Sequence, residues 1–255
     1  MFHVVDEGPV RWLTLDNPGR RNAVPTDQWE VLTGHLDDFE ASDLRALVVT
    51  GAGDDFCSGA DLGTGFQGRE MVHAYEAMAR VGAAARALHR ITKPTVAAVD
   101  GVAVGAGLNL ALGCDLLIAT DRARFAEIFV RRGLTVDFAG TWLLPRRIGL
   151  ARAKELALTG RMFDAAEAER LGIVTRVVAP DGLRAAAAGA AGVLASGAPL
   201  AQRMIKAGFD RSFEMSFEEA LSYEQAAQAM LMSSDDVVEG VAAFLQKRDP
   251  EFRGR

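Results

Sequence analysis

The segment Asp100-Gly101-Val102-Ala103-Val104-Gly105-Ala106-Gly107-Leu108-Asn109-Leu110 constrains this chain more than any other. Before it, Thr95–Val99 reads as a buried strand; within it, a glycine-punctuated turn opens a helix from about Gly107 to Gly113. The first N–H groups of a helix have no intrahelical acceptor and lie at the positive end of its dipole. Such a turn can therefore aim donors at a ligand oxygen. A second tight turn, Phe56-Cys57-Ser58-Gly59-Ala60-Asp61-Leu62, follows another apolar run, Leu44–Thr50. Gly59 permits a sharp reversal that frees the N–H of Ala60. One such turn is explained by close packing of a helix on a sheet. Two, each after an apolar strand, are expected at one edge of a parallel sheet, where ligands bind. A pair of donors can hold a developing oxyanion, and each is worth about 3 kcal/mol of activation energy.

The rest of the first half alternates strand-like and helix-like segments. Phe2–Asp6 and Val10–Asp16 read as a hairpin through Glu7-Gly8-Pro9, with Thr26 as the N-cap of a helix reaching Glu40. A helix is expected over Arg69–His89 and a strand over Cys114–Ala119. Apolar strands separated by helices imply an α/β fold with a largely parallel sheet between helices. Beyond Gly140 the pattern turns helical: 141–148, 151–158, 165–171, 183–195, 200–209, 217–230 and 235–247, with one strand near Val174–Val178. The division expected is a core over residues 1–195 that carries the site and a helical region over 196–255. A helical tail with no sheet of its own needs neighbours to cover it, so self-association is expected.

Composition bounds the function. A net charge of −6 argues against a nucleic-acid surface, and no apolar run is long enough to span a membrane. No secretory signal is visible at Met1–Pro9, and two cysteines, Cys57 and Cys114, make a reducing cytoplasm the simplest compartment. No His/Cys/Asp/Glu spacing matches a metal site, and neither Cys57 nor Ser58 sits in a nucleophile elbow.

Asp137 is an acid whose position alone leaves two readings. It lies in Gly133-Leu134-Thr135-Val136-Asp137-Phe138-Ala139-Gly140-Thr141-Trp142, just before a helix and among apolar residues that would raise its pKa. Taken alone, an aspartate there also reads as a helix N-cap. Glu127 is a possible secondary acid or an ordinary paired glutamate, and Asp61 a turn stabiliser. His73 and His89 read as structural or exposed.

These segments together resemble the enoyl-CoA hydratase/isomerase (crotonase) family over nearly the whole chain. The resemblance rests on Asn17-Pro18-Gly19-Arg20-Arg21-Asn22-Ala23, Phe56–Leu62, Ala98–Asp115, Leu144-Pro145-Arg146, and Glu239-Gly240 with Phe244, Lys247-Arg248 and Phe252. It implies a repeated ββα spiral core with a helical C-terminal region, assembled as a trimer or a dimer of trimers. It also implies an acyl-CoA substrate, with coenzyme A as part of that substrate and no separate cofactor. The thioester carbonyl would be held by the N–H groups of Ala60 and Ala106. Contacts to the substrate would map to Arg21, Ala23, Asp61, Leu62, Asn109, Phe129 and Lys247, the last across a subunit boundary.

The two glutamates of family hydratases would fall at Asn109 and Phe129, neither of which can exchange a proton. Family isomerases carry their acid at the position of Asp137. The resemblance therefore implies an enoyl-CoA isomerase that shifts a double bond through a thioester enolate, or a ring-opened or epoxide aryl-CoA isomerase of the phenylacetate-degradation kind. Three alternatives stay open: a hydratase using Asp137 or Glu127, an aryl-CoA hydrolase or dehalogenase with Asp137 as nucleophile, and an acyl-CoA-binding protein without catalysis.

Overall fold

A computed structural model describes residues 1–61, 63 and 71–255. Leu62, the start of the helix expected at Arg69, and part of the loop leading to it lie outside the described residues.

Two sheets organise the core. The larger has the order β1-β2-β3-β4-β6-β9, built from β1 Phe2–Glu7, β2 Val10–Leu15, β3 Ala46–Gly51, β4 Thr95–Val99, β6 Leu116–Thr120 and β9 Arg176–Val178. The β1–β2 hairpin is antiparallel and every later pairing is parallel. Both faces of the central strands are covered. Leu47, Val49, Ala97, Val99, Leu117 and Ala119 point into one apolar cluster, while Ala46, Val48, Val96, Ala98 and Ile118 point into the other. This is the period-two alternation of a strand buried on both sides, and it explains why these runs are continuously apolar.

The smaller sheet, β5-β7-β8, is made of β5 Val102–Val104, β7 Arg124–Ala126 and β8 Phe163–Asp164. Two of its strands, β5 and β7, follow directly on strands of the large sheet, giving the repeating unit of the spiral. In β4–β5 and again in β6–β7, the chain lays one strand in each sheet before turning helical.

The helices are α1 Gln28–Ala41, α2 Met71–Arg90, α3 Ala106–Leu112, α4 Gly140–Ile148, α5 Leu150–Thr159, α6 Ala165–Leu171, α7 Leu183–Ser196, α8 Pro199–Arg211, α9 Phe217–Leu231 and α10 Asp235–Gln246. The expected cap of α1 is corrected. Asp27, not Thr26, occupies the N-cap, and no side chain caps it. A turn closed by the Gln28 N–H on the Pro25 carbonyl at 3.0 Å starts the helix instead. In the alanine-rich α7, Leu183, Ala187, Ala191 and Ala195 face the second cluster; the small side chains let the helix axis approach the sheet closely. Helices α8–α10 add no strand to either sheet and leave Phe209, Phe213, Phe217, Val241 and Phe244 exposed. No single helix among the described residues is long and apolar enough to cross a membrane.

Candidate active site

The two glycine turns meet, though not directly at the ends of β3 and β4 as expected. Cys57 pairs in parallel with Ala103 of the small sheet. The Cys57 N–H donates to the Val102 carbonyl at 2.9 Å and the Val104 N–H to the Cys57 carbonyl at 3.0 Å. Gly107 must be glycine for this approach, because a Cβ there would overlap the Cys57 carbonyl. Gly59, at φ +96°, is equally constrained: an added Cβ would lie 2.8 Å from the Val104 oxygen and 3.5 Å from the Ala106 nitrogen. The N–H of Ala60 has no acceptor among the described residues, and Ala106 opens α3, where no intrahelical acceptor exists. The two turns thus lie in adjoining segments.

The loop 17–24 is stitched to the first turn. The Val24 N–H donates to the Gly59 carbonyl at 2.8 Å and the Asp61 N–H to the Val24 carbonyl at 2.9 Å, flanking Ala60 on both sides. Asn22, left-handed at φ 57° and buried, donates from Nδ2 to the Ala52 and Asp55 carbonyls. Arg21 is exposed, with Nε 3.7 Å from the Asp55 carboxylate, whereas Ala23 is buried and can meet a ligand only through its backbone. Asp61 accepts from the Gly63 N–H at 2.9 Å, in keeping with a turn-stabilising role. Lys247 ends α10 in the left-handed region, exposed; no hydrogen bond or ion pair ties it to these turns among the described residues.

The acids gather behind α3. Asp137 is not an N-cap, which corrects that alternative. Ala139 holds the cap position of α4 without a side-chain hydrogen bond. Phe138 and Ala139 are both left-handed, at φ 48° and 60°, an unfavourable conformation for residues with a Cβ. Phe138 packs into the core against Trp29, ring centroids 5.5 Å apart, and Asp137 beside it is half-buried. The Asp137 carbonyl accepts from the Gly140 N–H at 2.9 Å and from Asn109 Nδ2 at 2.9 Å. Asn109 itself is buried and fits only because residue 140 is glycine, since a Cβ there would overlap its amide.

Electrostatics separates the two carboxyls. Burial pushes Asp137 up to about 6, and its Oδ1 has no hydrogen-bond partner. Glu127 is fully buried at the start of a 3-10 turn, Ile128–Arg132. Burial first, and the Asp137 charge second, push it up to about 8, with the adjacent Asn109 amide acting weakly in the opposite direction. Neither Glu127 oxygen has a hydrogen-bond partner. Phe129 is buried under the second turn, its Cζ 3.5 Å from where a Cβ on Gly105 would stand. The arrangement offers two backbone donors for an oxyanion and one partly open, unpartnered acid with a pKa in the working range. Cys57 and Cys114 are free thiols, each pushed up to about 12 by burial, and are inert as nucleophiles.

Residues 6–255 match the family model described as enoyl-CoA hydratase/isomerase. The chain belongs to the enoyl-CoA hydratase/isomerase family. It is 40% identical over 253 residues to a protein of Rhizobium meliloti (strain 1021) named a probable enoyl-CoA hydratase, covering 99% of this chain and 97% of that one. It is 37% identical over 261 residues to the 1,2-epoxyphenylacetyl-CoA isomerase of Escherichia coli (strain K12), covering 98% and 97%. The crystal structure of an enoyl-CoA hydratase from Bacillus anthracis superposes with a TM-score of 0.94 at 30% identity, covering 100% of this chain and 99% of that one. The fold is therefore the crotonase fold, and the chain is an acyl-CoA enzyme of this family. Hydratase and isomerase names both occur among relatives of similar identity, so the reaction has to be argued from the site.

Proposed function

We propose that this family member is an enoyl-CoA isomerase in which Asp137 carries a proton from one carbon to another. The observation that carries the reading is the state of Asp137: half-buried, raised to about 6, lacking a partner at Oδ1, and tied through Asn109 to the helix that Ala106 opens. In the reading, the N–H groups of Ala60 and Ala106 hold the thioester oxygen and acidify the C2–H bond. The Asp137 carboxylate takes the C2 proton, leaving a dienolate whose charge rests on the thioester oxygen. The same group, now the neutral acid, returns the proton to C4, and the double bond moves from C3–C4 to C2–C3. One carboxyl serves as base and then as acid, with no water consumed and no further reactant. Asn109 orients the acid, and Phe129 closes the apolar floor beneath the second turn.

Arg21 and the backbone of Ala23 lie in the loop that flanks Ala60, which favours them as contacts to the coenzyme A portion. Lys247 reaches that portion only from a neighbouring subunit in this reading. The exposed phenylalanines of α8–α10 favour the association it requires, as a trimer or a dimer of trimers. Both free thiols fit a reducing cytoplasm.

A hydratase is the second reading, favoured by the names of several relatives and by a second carboxyl, Glu127, next to Asn109. Isotopes distinguish the two. Incubating 3-hexenoyl-CoA with the enzyme in deuterated water should give 2-hexenoyl-CoA that has gained no oxygen and carries label at C2 and C4 as far as the Asp137 proton exchanges with solvent. A 3-hydroxyacyl product containing solvent oxygen would establish hydration instead, and solvent oxygen recovered in Asp137 would establish nucleophilic attack.

A further inference from the structure

Glu127 has no place in a one-carboxylate proton transfer, yet it is sealed beside the group that performs it. Among the described residues, no cation compensates it. Arg131 and Arg132 on its own turn donate to the Thr159 and Arg131 carbonyls. On α4, Arg147 donates to the Leu112 and Cys114 carbonyls, and Arg146 lies over the Trp142 ring at 3.8 Å. Beyond α5, Arg161 is taken by Glu155 and Glu167. The charged group that acts on Glu127 is Asp137, of like sign.

An ionised Glu127 would thus be a buried, unpaired charge repelling a second one, which is strongly disfavoured. A neutral Glu127 has a proton to donate, and Asn109, whose amide acts on Glu127, carries a buried Oδ1 that lacks a donor. A proton shared between the two would relieve both orphaned groups. Asn109, so fixed, keeps Nδ2 on the Asp137 carbonyl at 2.9 Å, and that bond steadies the strained Phe138–Ala139 turn.

We propose that Glu127 is a positioning residue: a neutral carboxylic acid that locks the Asn109 amide, through it holds the Asp137 loop, and releases that loop when it ionises at alkaline pH. Both of its oxygens are buried. The pair then carries one negative charge at neutral pH, on Asp137, and the site fails when it must carry two. The sign follows. Activity rises with pH as Asp137 ionises near 6 and falls as Glu127 ionises near 8. The proposal rests on Asp137 being the proton-transfer group, and the tests keep the two apart.

The experiment has a kinetic and a spectroscopic arm. In the first, kcat/KM for deuterium exchange into 3-hexenoyl-CoA is followed from pH 5 to 10 for the wild type, Glu127→Gln and Glu127→Ala. The wild type should give a bell. Glu127→Gln, which keeps a donor for Asn109 but cannot ionise, should keep the rising limb and lose the falling one. Glu127→Ala, which cannot support Asn109, should lower kcat about tenfold or more with a smaller change in KM. In the second arm, infrared difference spectra of the unliganded enzyme should show a neutral-carboxyl band at pH 7 that disappears by pH 10 and is missing from Glu127→Gln. A falling limb that persists in Glu127→Gln, or no neutral-carboxyl band in the wild type, overturns the proposal. If Asp137→Asn still exchanges deuterium, the isomerase reading fails while the infrared arm still decides the state of Glu127.

Discussion

At the scale of single residues, the site depends on glycines placed against specific partners. Gly140 is the clearest case, because a Cβ there would overlap the Asn109 amide that holds the Asp137 carbonyl. Gly140→Ala should therefore displace Asn109, cost about 1–3 kcal/mol of stability by overpacking, and lower kcat far more than substrate affinity; denaturant melts alongside steady-state kinetics check both. The settings of Asp137 and Asn109 were legible in the sequence, one an acid among apolar neighbours and the other an amide in the helix-opening turn, though not the hydrogen bond that joins them. The burial of Glu127 was not. In Ala126-Glu127-Ile128-Phe129 nothing local separates a solvated glutamate from a sealed one, because its burial comes from α3, the Asp137 loop and the end of α5 closing over it. The N-cap reading of Asp137 failed for a related reason. Two consecutive left-handed residues shift the cap to Ala139, and no propensity rule anticipates left-handed Phe138.

At the scale of elements, the central strands of the large sheet could be read because they are buried on both faces and appear as unbroken valine- and alanine-rich runs. The small sheet could not. Its strands have two or three residues, shorter than any window in which alternation can be recognised, yet they bring the two glycine turns together. Helix α7 shows the reverse situation: its alanines read as helix-formers, while their positions also set how closely it approaches the sheet. Ala187→Leu should push the helix off the second cluster and cost about 1–3 kcal/mol. Because that face lies away from the turns, kcat at a permissive temperature should hold within about twofold. Thermal melts and exchange kinetics on the same sample test that separation.

At the scale of the whole molecule, the unpaired apolar surface of α8–α10 is the feature a single chain does not explain. Phe244 is 81% exposed and Phe217 74%, on helices that contribute nothing to either sheet. Exposed patches of this kind mark association surfaces, and the reading of Lys247 as a contact to coenzyme A depends on a neighbouring subunit bringing it there. Light scattering on the wild type should give a mass that is a multiple of 27.2 kDa, three- or sixfold. Phe244→Glu should shift the distribution towards the monomer and weaken acyl-CoA binding at the same time. A wild-type monomer that binds acyl-CoA fully would remove Lys247 from the site.

The central claim is that Asp137 moves the proton while the two glycine turns hold the thioester. It is tested most directly by replacing Asp137 with asparagine and measuring deuterium exchange and acyl-CoA binding on the same preparation. The account predicts that exchange falls by about a hundredfold to ten-thousandfold, the usual contribution of a positioned acid–base group, while calorimetric affinity for the acyl-CoA stays within a few-fold. Exchange at the wild-type rate in Asp137→Asn would contradict it, because another group would then be carrying the proton.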